Sequence, residues 1–249
     1  KVFNPLPKPN ESIRWSGGCE DGFAHGEGTL EWFLNGAPNG TNTGSFHEGK
    51  QTGRGTALFA NGSRYEGEFV NGRPHGSGTM TSEKGHRYEG DFIEGRFSGN
   101  GVLTTPDGIR RHGQFAAGLF TYGTMNWPNG DTYIGQFSEN KRTGRGTYTF
   151  ASGARYEGEF FEGKFHGQGV LTQPNGQKLS GTFTDGKLTG SSAAPASSAQ
   201  REETDSLKQL VDAVAPRDLV TGQRSLNMES ESEELTRASE QSGQILGQA

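Results

Sequence analysis

Apolar residues are scarce in this chain. Hydrophobic residues make up 29% of its 249 residues, and the mean hydropathy is −0.78. This content cannot fill a thick core, and no apolar run approaches the roughly 20 residues that a membrane-spanning helix needs. The aromatic residues must therefore supply most of the core, and every Phe, Tyr and Trp lies before Ser191.

A net basic charge is also missing. Basic and acidic residues are equal in number in residues 1–190, so the net charge of −5 falls entirely in residues 191–249. Nucleic-acid binding usually needs a net basic face, and we therefore expect no nucleic-acid partner.

The segment 191–249 is predicted to be an acidic linker and tail. It opens with SSAAPASSAQ, which is typical of a linker, and its charge and low hydrophobicity favour disorder. One short helix is predicted near residues 203–215, because Leu207, Leu210 and Val214 fall at helical spacing before Pro216.

Glycine, in contrast, is abundant and periodic. The segment YEGEF occurs at Tyr65–Phe69 and again at Tyr156–Phe160, and related segments recur about every 23 residues, each followed by a Gly-x-Gly. Two irregularities interrupt the period: four extra residues near Gly36–Gly40 and one missing residue near Gly118–Gly123. A repeat this short cannot bury a core alone, so it must stack on copies of itself.

Each repeat is predicted to form a β-hairpin. In YEGEF the two aromatic residues lie four positions apart, so both fall on one face of a strand with Gly67 between them, while Glu66 and Glu68 face the other way. Dipeptides such as Asn61-Gly62 mark the turns. The recurrence of glycine beside large aromatic residues further predicts that each ring lies flat over the glycine of a neighbouring strand.

The repeated pattern Y-x-G-x-F-x-x-G-x-x-x-G-x-G resembles the MORN repeat. Residues Tyr65–Gly78, Tyr88–Gly101 and Tyr156–Gly169 match it at every named position. The resemblance implies an all-β fold, an elongated twisted antiparallel sheet of stacked hairpins. We count eight repeats in residues 15–190, after an extended, proline-rich segment at residues 1–14. The resemblance to the MORN repeat also implies a non-catalytic scaffold whose repeats bind partner peptides, dimerise or contact membrane lipids.

Departures from the pattern occur at the first aromatic position. Asn42, Arg111 and Leu179 stand where other repeats have Tyr or Trp, and a groove built on those rings would be weakened there. The last repeat also ends early, which predicts an open strand edge at Leu179–Phe183, a surface through which two copies could form a homodimer.

The N-terminal stretch resembles the start of bacterial exported MORN proteins. This resemblance implies a periplasmic or secreted location and a disulfide partner for Cys19 upstream of Lys1; a cytoplasmic, membrane-associated protein is the alternative. Cys19 stands where every other repeat has Phe, so a small buried thiol is the simpler expectation. A catalytic thiol is disfavoured, because the pattern places no base beside it.

Two surfaces are predicted to bind partners. The first is an aromatic groove for a protein or peptide segment, formed by Tyr65, Phe69, Tyr88, Phe92, Phe115, Tyr133, Phe137, Tyr156 and Phe160. The alternative is a row of basic residues that contacts anionic lipid at a membrane surface, formed by Arg64, Arg87, Arg110, Arg155 and Lys178.

No catalytic residue, cofactor or metal site is predicted. The carboxylates recur because the repeat recurs, whereas catalysis normally needs one special pair. His25, His75 and His166 belong to repeats that are not neighbours, so they cannot converge on a metal ion. The sequence therefore predicts a non-enzymatic scaffold.

Overall fold

The computed structural model describes residues 1–2 and 8–191. In these residues it contains strands and turns but no helix, and therefore no helix that could cross a bilayer. The predicted tail and its helix near residues 203–215 lie outside the described residues, as do Pro5 and Pro7. The described residues divide between two compact units: Lys1–Pro106 with Gln114–Leu119, and Asp107–Gly113 with residues 120–191.

The N-terminal unit is an antiparallel sheet of consecutive hairpins. Its strands are β1 (Glu11–Trp15), β2 (Gly18–Glu20), β3 (Phe23–Leu34), β4 (Ala37–His47), β5 (Lys50–Leu58), β6 (Arg64–Val70), β7 (Arg73–Thr81), β8 (Arg87–Ile93) and β9 (Arg96–Thr104). The short strand β1 pairs with β3, and from β2 to β9 each strand pairs with the next along the chain.

The C-terminal unit repeats the same arrangement. From β11 to β17 each strand pairs antiparallel with the next. After β10 (Arg110–Ala116), which spans the boundary of the two units, its strands are β11 (Leu119–Asn126), β12 (Thr132–Ser138), β13 (Lys141–Thr149), β14 (Arg155–Phe161), β15 (Lys164–Thr172), β16 (Lys178–Thr184) and β17 (Lys187–Ser191). The predicted all-β fold of antiparallel hairpins is confirmed.

Aromatic rings and glycines form the core together. A Cβ atom added to Gly78 would lie 2.5 Å from Cε2 of Tyr65, so the Tyr65 ring covers the backbone of the neighbouring strand, as predicted. The Tyr65 hydroxyl donates a hydrogen bond to the carbonyl oxygen of Glu68 at 2.9 Å. The same contacts recur at Tyr88, Tyr133 and Tyr156. The absence of a glycine side chain is therefore what lets a single sheet bury its rings.

Neighbouring repeats are joined by edge-to-face ring contacts. The centroid of the Tyr65 ring lies 5.1 Å from that of Phe69 in its own repeat and 4.9 Å from that of Phe92 in the next. Tyr88 stacks on Phe97 at 3.8 Å with an interplanar angle of 14°. Such ring pairs contribute roughly 0.5–1.5 kcal/mol each beyond the burial of their area.

Left-handed glycines shape the return strands. Gly76 and Gly99 have φ of 60° and 56°, and the strand register shifts where the partner strand faces each of them. These are β-bulges, which glycine tolerates because it has no Cβ. The one-residue gap near Gly118–Gly123 removes this glycine from β11, where Gly123, with a φ of 147°, lies directly opposite Gly135. The four extra residues near Gly36–Gly40 lengthen β3 and β4 into the longest hairpin described.

Two expectations about the ends of the repeat array are wrong. Cys19 is exposed rather than buried, because β2 is a short strand whose residues are all exposed. The predicted open edge at Leu179–Phe183 is also incorrect, since Gly181–Thr184 pairs with β17. Among the described residues, β17 is the last strand of the sheet.

Candidate functional site

The rings predicted to form the partner groove are buried within the chain. All nine are at most 6% exposed, and Tyr65, Tyr88, Tyr133 and Tyr156 are 0% exposed. In each unit they pack on one another and on glycine backbone, so they form the core of the sheet. Contact between these rings and a partner stays a prediction.

Burial also fixes the protonation of the tyrosines. Desolvation raises the pKa of the Tyr65, Tyr88, Tyr133 and Tyr156 hydroxyls well above the ordinary value of 10.0. The phenols stay neutral and keep donating hydrogen bonds to the backbone. They are structural donors, since no solvent reaches them.

Each member of the predicted basic row is exposed and begins a strand, namely β6, β8, β10, β14 or β16, whereas β12 begins with Thr132. Three of them form ion pairs with the glutamate two positions along the same strand. Arg155 lies 2.9 Å from Glu157 and Arg64 lies 3.5 Å from Glu66, and Arg87 pairs with Glu89 in the same way. Arg110 and Lys178 have His112 and Ser180 at that position instead. Lipid contact by this row stays a prediction.

A groove that the sequence did not reveal lies on the face opposite the tyrosine rings in the N-terminal unit. Its floor is a straight row of glycines in direct register, formed by Gly55, Gly67, Gly78 and Gly90. One wall is a register-aligned series in which threonine and glutamate alternate, formed by Thr56, Glu66, Thr79 and Glu89. Arg54 and Ser77 line the other side, and the groove encloses about 580 Å³.

The C-terminal unit carries a groove of the same construction and about 610 Å³. Its floor is again a row of paired glycines, formed by Gly135, Gly146, Gly158, Gly169 and Gly181. The walls differ, because Tyr122 and Ile134 are 52% and 49% exposed there. Thr147 and Glu157 continue the wall that Ile134 begins. This groove is therefore more apolar than that of the N-terminal unit.

The signal for both grooves was present in the sequence. Glycine recurs two positions after each first aromatic, and the residues between the aromatics point away from them. Alternation predicts a solvated face for those residues and ring packing for the glycines. The same glycine row floors a groove on its other side.

Few features of the described residues suit catalysis. Groups of three or more His, Cys, Asp or Glu side chains that could hold a metal ion do not occur within residues 1–2 and 8–191. His25 Nδ1 lies 2.9 Å from a carboxylate oxygen of Glu20, a contact between two partly or largely exposed side chains.

Two of the solved structures that match the chain have low sequence identity to it. The TCP domain of SAS-4 (dCPAP) of Drosophila melanogaster, solved in complex with a proline-rich motif of Ana2 (dSTIL), is 17% identical with a TM-score of 0.42; the match covers 72% of this chain and all of that one. A streptogramin B lyase structure is 12% identical with a TM-score of 0.17, over 70% of this chain and 59% of that one. Likeness at this level carries no functional argument. No curated protein matches the chain.

The sequence of the chain matches one family of repeats over most of its length. The model of the MORN repeat matches seven segments: residues 15–33, 43–64, 65–87, 88–110, 112–132, 133–155 and 156–178. These segments cover more than half of the chain and follow the same 23-residue period as the hairpins described above. The truncated eighth repeat, from Leu179, lies beyond the matched segments. The chain belongs to the MORN repeat family.

Proposed function

We propose that this protein is a non-enzymatic scaffold that binds an extended segment of a partner protein. Repeats of this family are binding units for proteins or membranes. The observation that carries the proposal is the glycine-floored groove, which occurs with the same construction in both units. The proposed contact surface is this groove rather than the buried rings on the other face.

The shape of the groove favours a narrow, extended ligand. Its floor is bare backbone, because the Cβ of any residue at Gly67 or Gly78 would point toward the Tyr65 ring on the other face. Its walls are single rows of side chains that lie on either side of that floor. A main chain without bulky secondary structure fits such a trough, and large folded surfaces do not.

A library of random linear peptides, displayed and selected on the full chain, tests the proposal. Selected peptides should lose most of their affinity when tryptophan fills a groove wall, as Thr79→Trp does in the N-terminal unit and Thr147→Trp in the C-terminal unit. Val70→Trp is the matched control, because Val70 is 48% exposed and lies outside both groove linings.

Binding measured by fluorescence anisotropy decides the outcome. Peptides that bind both groove variants as tightly as they bind the unmodified chain would overturn the proposal. Binding to vesicles of anionic lipid, lost on substitution of Arg64 and Arg155 and unaffected by the tryptophan variants, would favour the membrane-surface alternative instead.

A further inference from the structure

In the groove of the N-terminal unit, glutamate recurs on one wall at every second strand. Glu66 and Glu89 lie on the same wall, separated by Thr79, and each is directly opposite that threonine in the strand register. They are therefore two strands apart. At roughly 4.8 Å per strand, their backbone positions repeat about every 9.6 Å along the groove.

One peptide conformation repeats at nearly this distance. A polyproline II helix has three residues per turn and a rise of about 3.1 Å per residue, so every third side chain returns to the same side after about 9.3 Å. A β-strand returns to the same side after about 6.6 Å, which does not match the groove. The two-strand period of the repeat therefore fits a polyproline II ligand that lies across the strands.

The charge of the wall specifies the side chains of that ligand. Glu66 and Glu89 line one wall of the groove, where they pair with Arg64 and Arg87, and Arg54 and Ser77 line the opposite wall. Carboxylates thus recur along one wall, and Arg54 brings the opposite charge on the other wall. A ligand with lysine or arginine at every third position would place a cation beside each glutamate of the wall.

Existing ion pairs do not prevent this exchange. Arg64 contacts Glu66 at 3.5 Å, and the two side chains are 62% and 69% exposed. Arg87 pairs with Glu89 in the same way, and those side chains are 47% and 50% exposed. Exposed pairs of this kind contribute roughly 0–1 kcal/mol, so an incoming cation can share or replace the arginine at little cost. The C-terminal unit lacks the acidic series, because Ile134 and Ser180 occupy the corresponding positions on either side of Glu157.

We propose that the groove of the N-terminal unit binds a basic polyproline II segment with lysine or arginine at every third residue. This inference rests on the proposed function and names the chemistry of the partner at one of its two grooves. Binding should therefore depend on the polyproline II conformation of the ligand and on the spacing of its positive charges.

The test compares labelled peptides of four Lys-Pro-Pro repeats with an isomer whose lysines are clustered at one end, and with Gln-Pro-Pro and Glu-Pro-Pro repeats. We expect the evenly spaced lysine peptide to bind the full chain about tenfold more tightly than its clustered isomer. Binding should weaken as salt rises, because exposed charges are screened. Equal binding of the two isomers would overturn the inference.

Variants of the protein locate the site. Glu66→Gln with Glu89→Gln should weaken binding of the spaced peptide about tenfold. Glu94→Gln is the matched control, since Glu94 is an exposed tight-turn residue outside the groove lining. The circular dichroism spectrum and melting temperature of each variant verify that it folds. An unchanged affinity in the folded double variant would overturn the inference.

Failure of the inference is distinguishable from failure of the proposed function. If library-selected peptides need the grooves but are acidic or neutral, the scaffold proposal holds and this inference falls. If the spaced lysine peptide is bound only by a dimer of the chain, as sedimentation velocity would show, the inference also falls.

Discussion

At the scale of single residues, the fold depends on glycines that have no space for a side chain. The ring of Tyr65 covers Gly78, and the hydroxyl of the same ring reaches a backbone oxygen in its own strand. Where the tyrosine is missing, polar residues fill the space. In the second repeat, the Gln51 amide lies over Gly55 and accepts a hydrogen bond from Asn42 at 2.9 Å.

Alanine at Gly78 should therefore destabilise the protein. Its Cβ would meet three atoms of the Tyr65 ring at 2.5–2.7 Å. We expect Gly78→Ala to lower the free energy of unfolding by about 1–3 kcal/mol, as overpacking does, in urea denaturation. Gly190→Ala is the control, because its Cβ would have ordinary contacts at 3.7 Å. Equal losses at the two positions would contradict the ring-over-glycine packing.

The buried tyrosines predict how stability depends on pH. Burial raises the pKa of Tyr65, Tyr88, Tyr133 and Tyr156 above 10.0, so their contribution to stability is complete below pH 10.0 and is lost as the pH rises above it. Phenolate absorbance of these four residues should appear together with unfolding, monitored by circular dichroism during the same alkaline titration. Full ionisation of every tyrosine in a chain that keeps its strand signal would refute this.

The packing of rings over glycines could be predicted from the sequence, whereas the exposure of those rings to a partner could not. Aromatic spacing and the Gly67 position predicted that a ring would lie over glycine. The spacing could not show that the edges of those rings would be covered by neighbouring repeats, so it predicts a partner groove at residues such as Phe92, which is buried in the structure. Alternation identifies which residues share a face, but the degree of burial depends on what packs against that face.

At the scale of elements, most hairpins depend on two special backbone sites. One is the left-handed bulge glycine, and the other is a two-residue tight turn in which both residues have positive φ. Asn71 and Gly72 have φ of 51° and 78°, and Ala117 and Gly118 have 50° and 90°. Dipeptides such as Asn61-Gly62, which also predict turns, lie in the longer loops at the other end of the hairpins.

The tight turns predict one gain and one loss of stability. Asparagine tolerates the left-handed region better than alanine, so Ala117→Asn should stabilise the protein and Asn71→Ala should destabilise it, each by about 1 kcal/mol. The two substitutions are matched controls for each other, because both residues occupy the same turn position. Shifts of the same sign in the urea midpoint would show that the turn geometry does not control stability here.

At the scale of the whole molecule, each repeat is stabilised by its neighbours. The tight-turn glycines Gly72 and Gly95 donate hydrogen bonds of 2.8 Å to the carbonyl oxygens of Gln51 and Pro74 in the preceding repeat. Ring contacts such as that between Tyr65 and Phe92 add to this link. Stability should then depend on the number of neighbours, as in other repeat proteins.

Removing an inner ring should cost more than removing a terminal one. Phe92 contacts Tyr65, Tyr88 and Phe97, whereas Phe183 contacts Tyr156 and Phe165. We expect Phe92→Ala to lower the free energy of unfolding by about 3–5 kcal/mol and Phe183→Ala by less. Equal thermal shifts for the two variants would contradict the stacked arrangement.

Partner segments are proposed to bind on the glycine-floored face, opposite the buried rings. A groove-dependent peptide from the selection, carrying a nitroxide spin label, tests this proposal by paramagnetic relaxation enhancement on the isotopically labelled chain. We expect the amide signals of Gly67 and Gly78, or of Gly146 and Gly158, to broaden most, together with the methyl signals of Thr79 or Thr147. Strongest broadening at the tight turns around Gly72 and Gly163, with the groove signals unchanged, would contradict it.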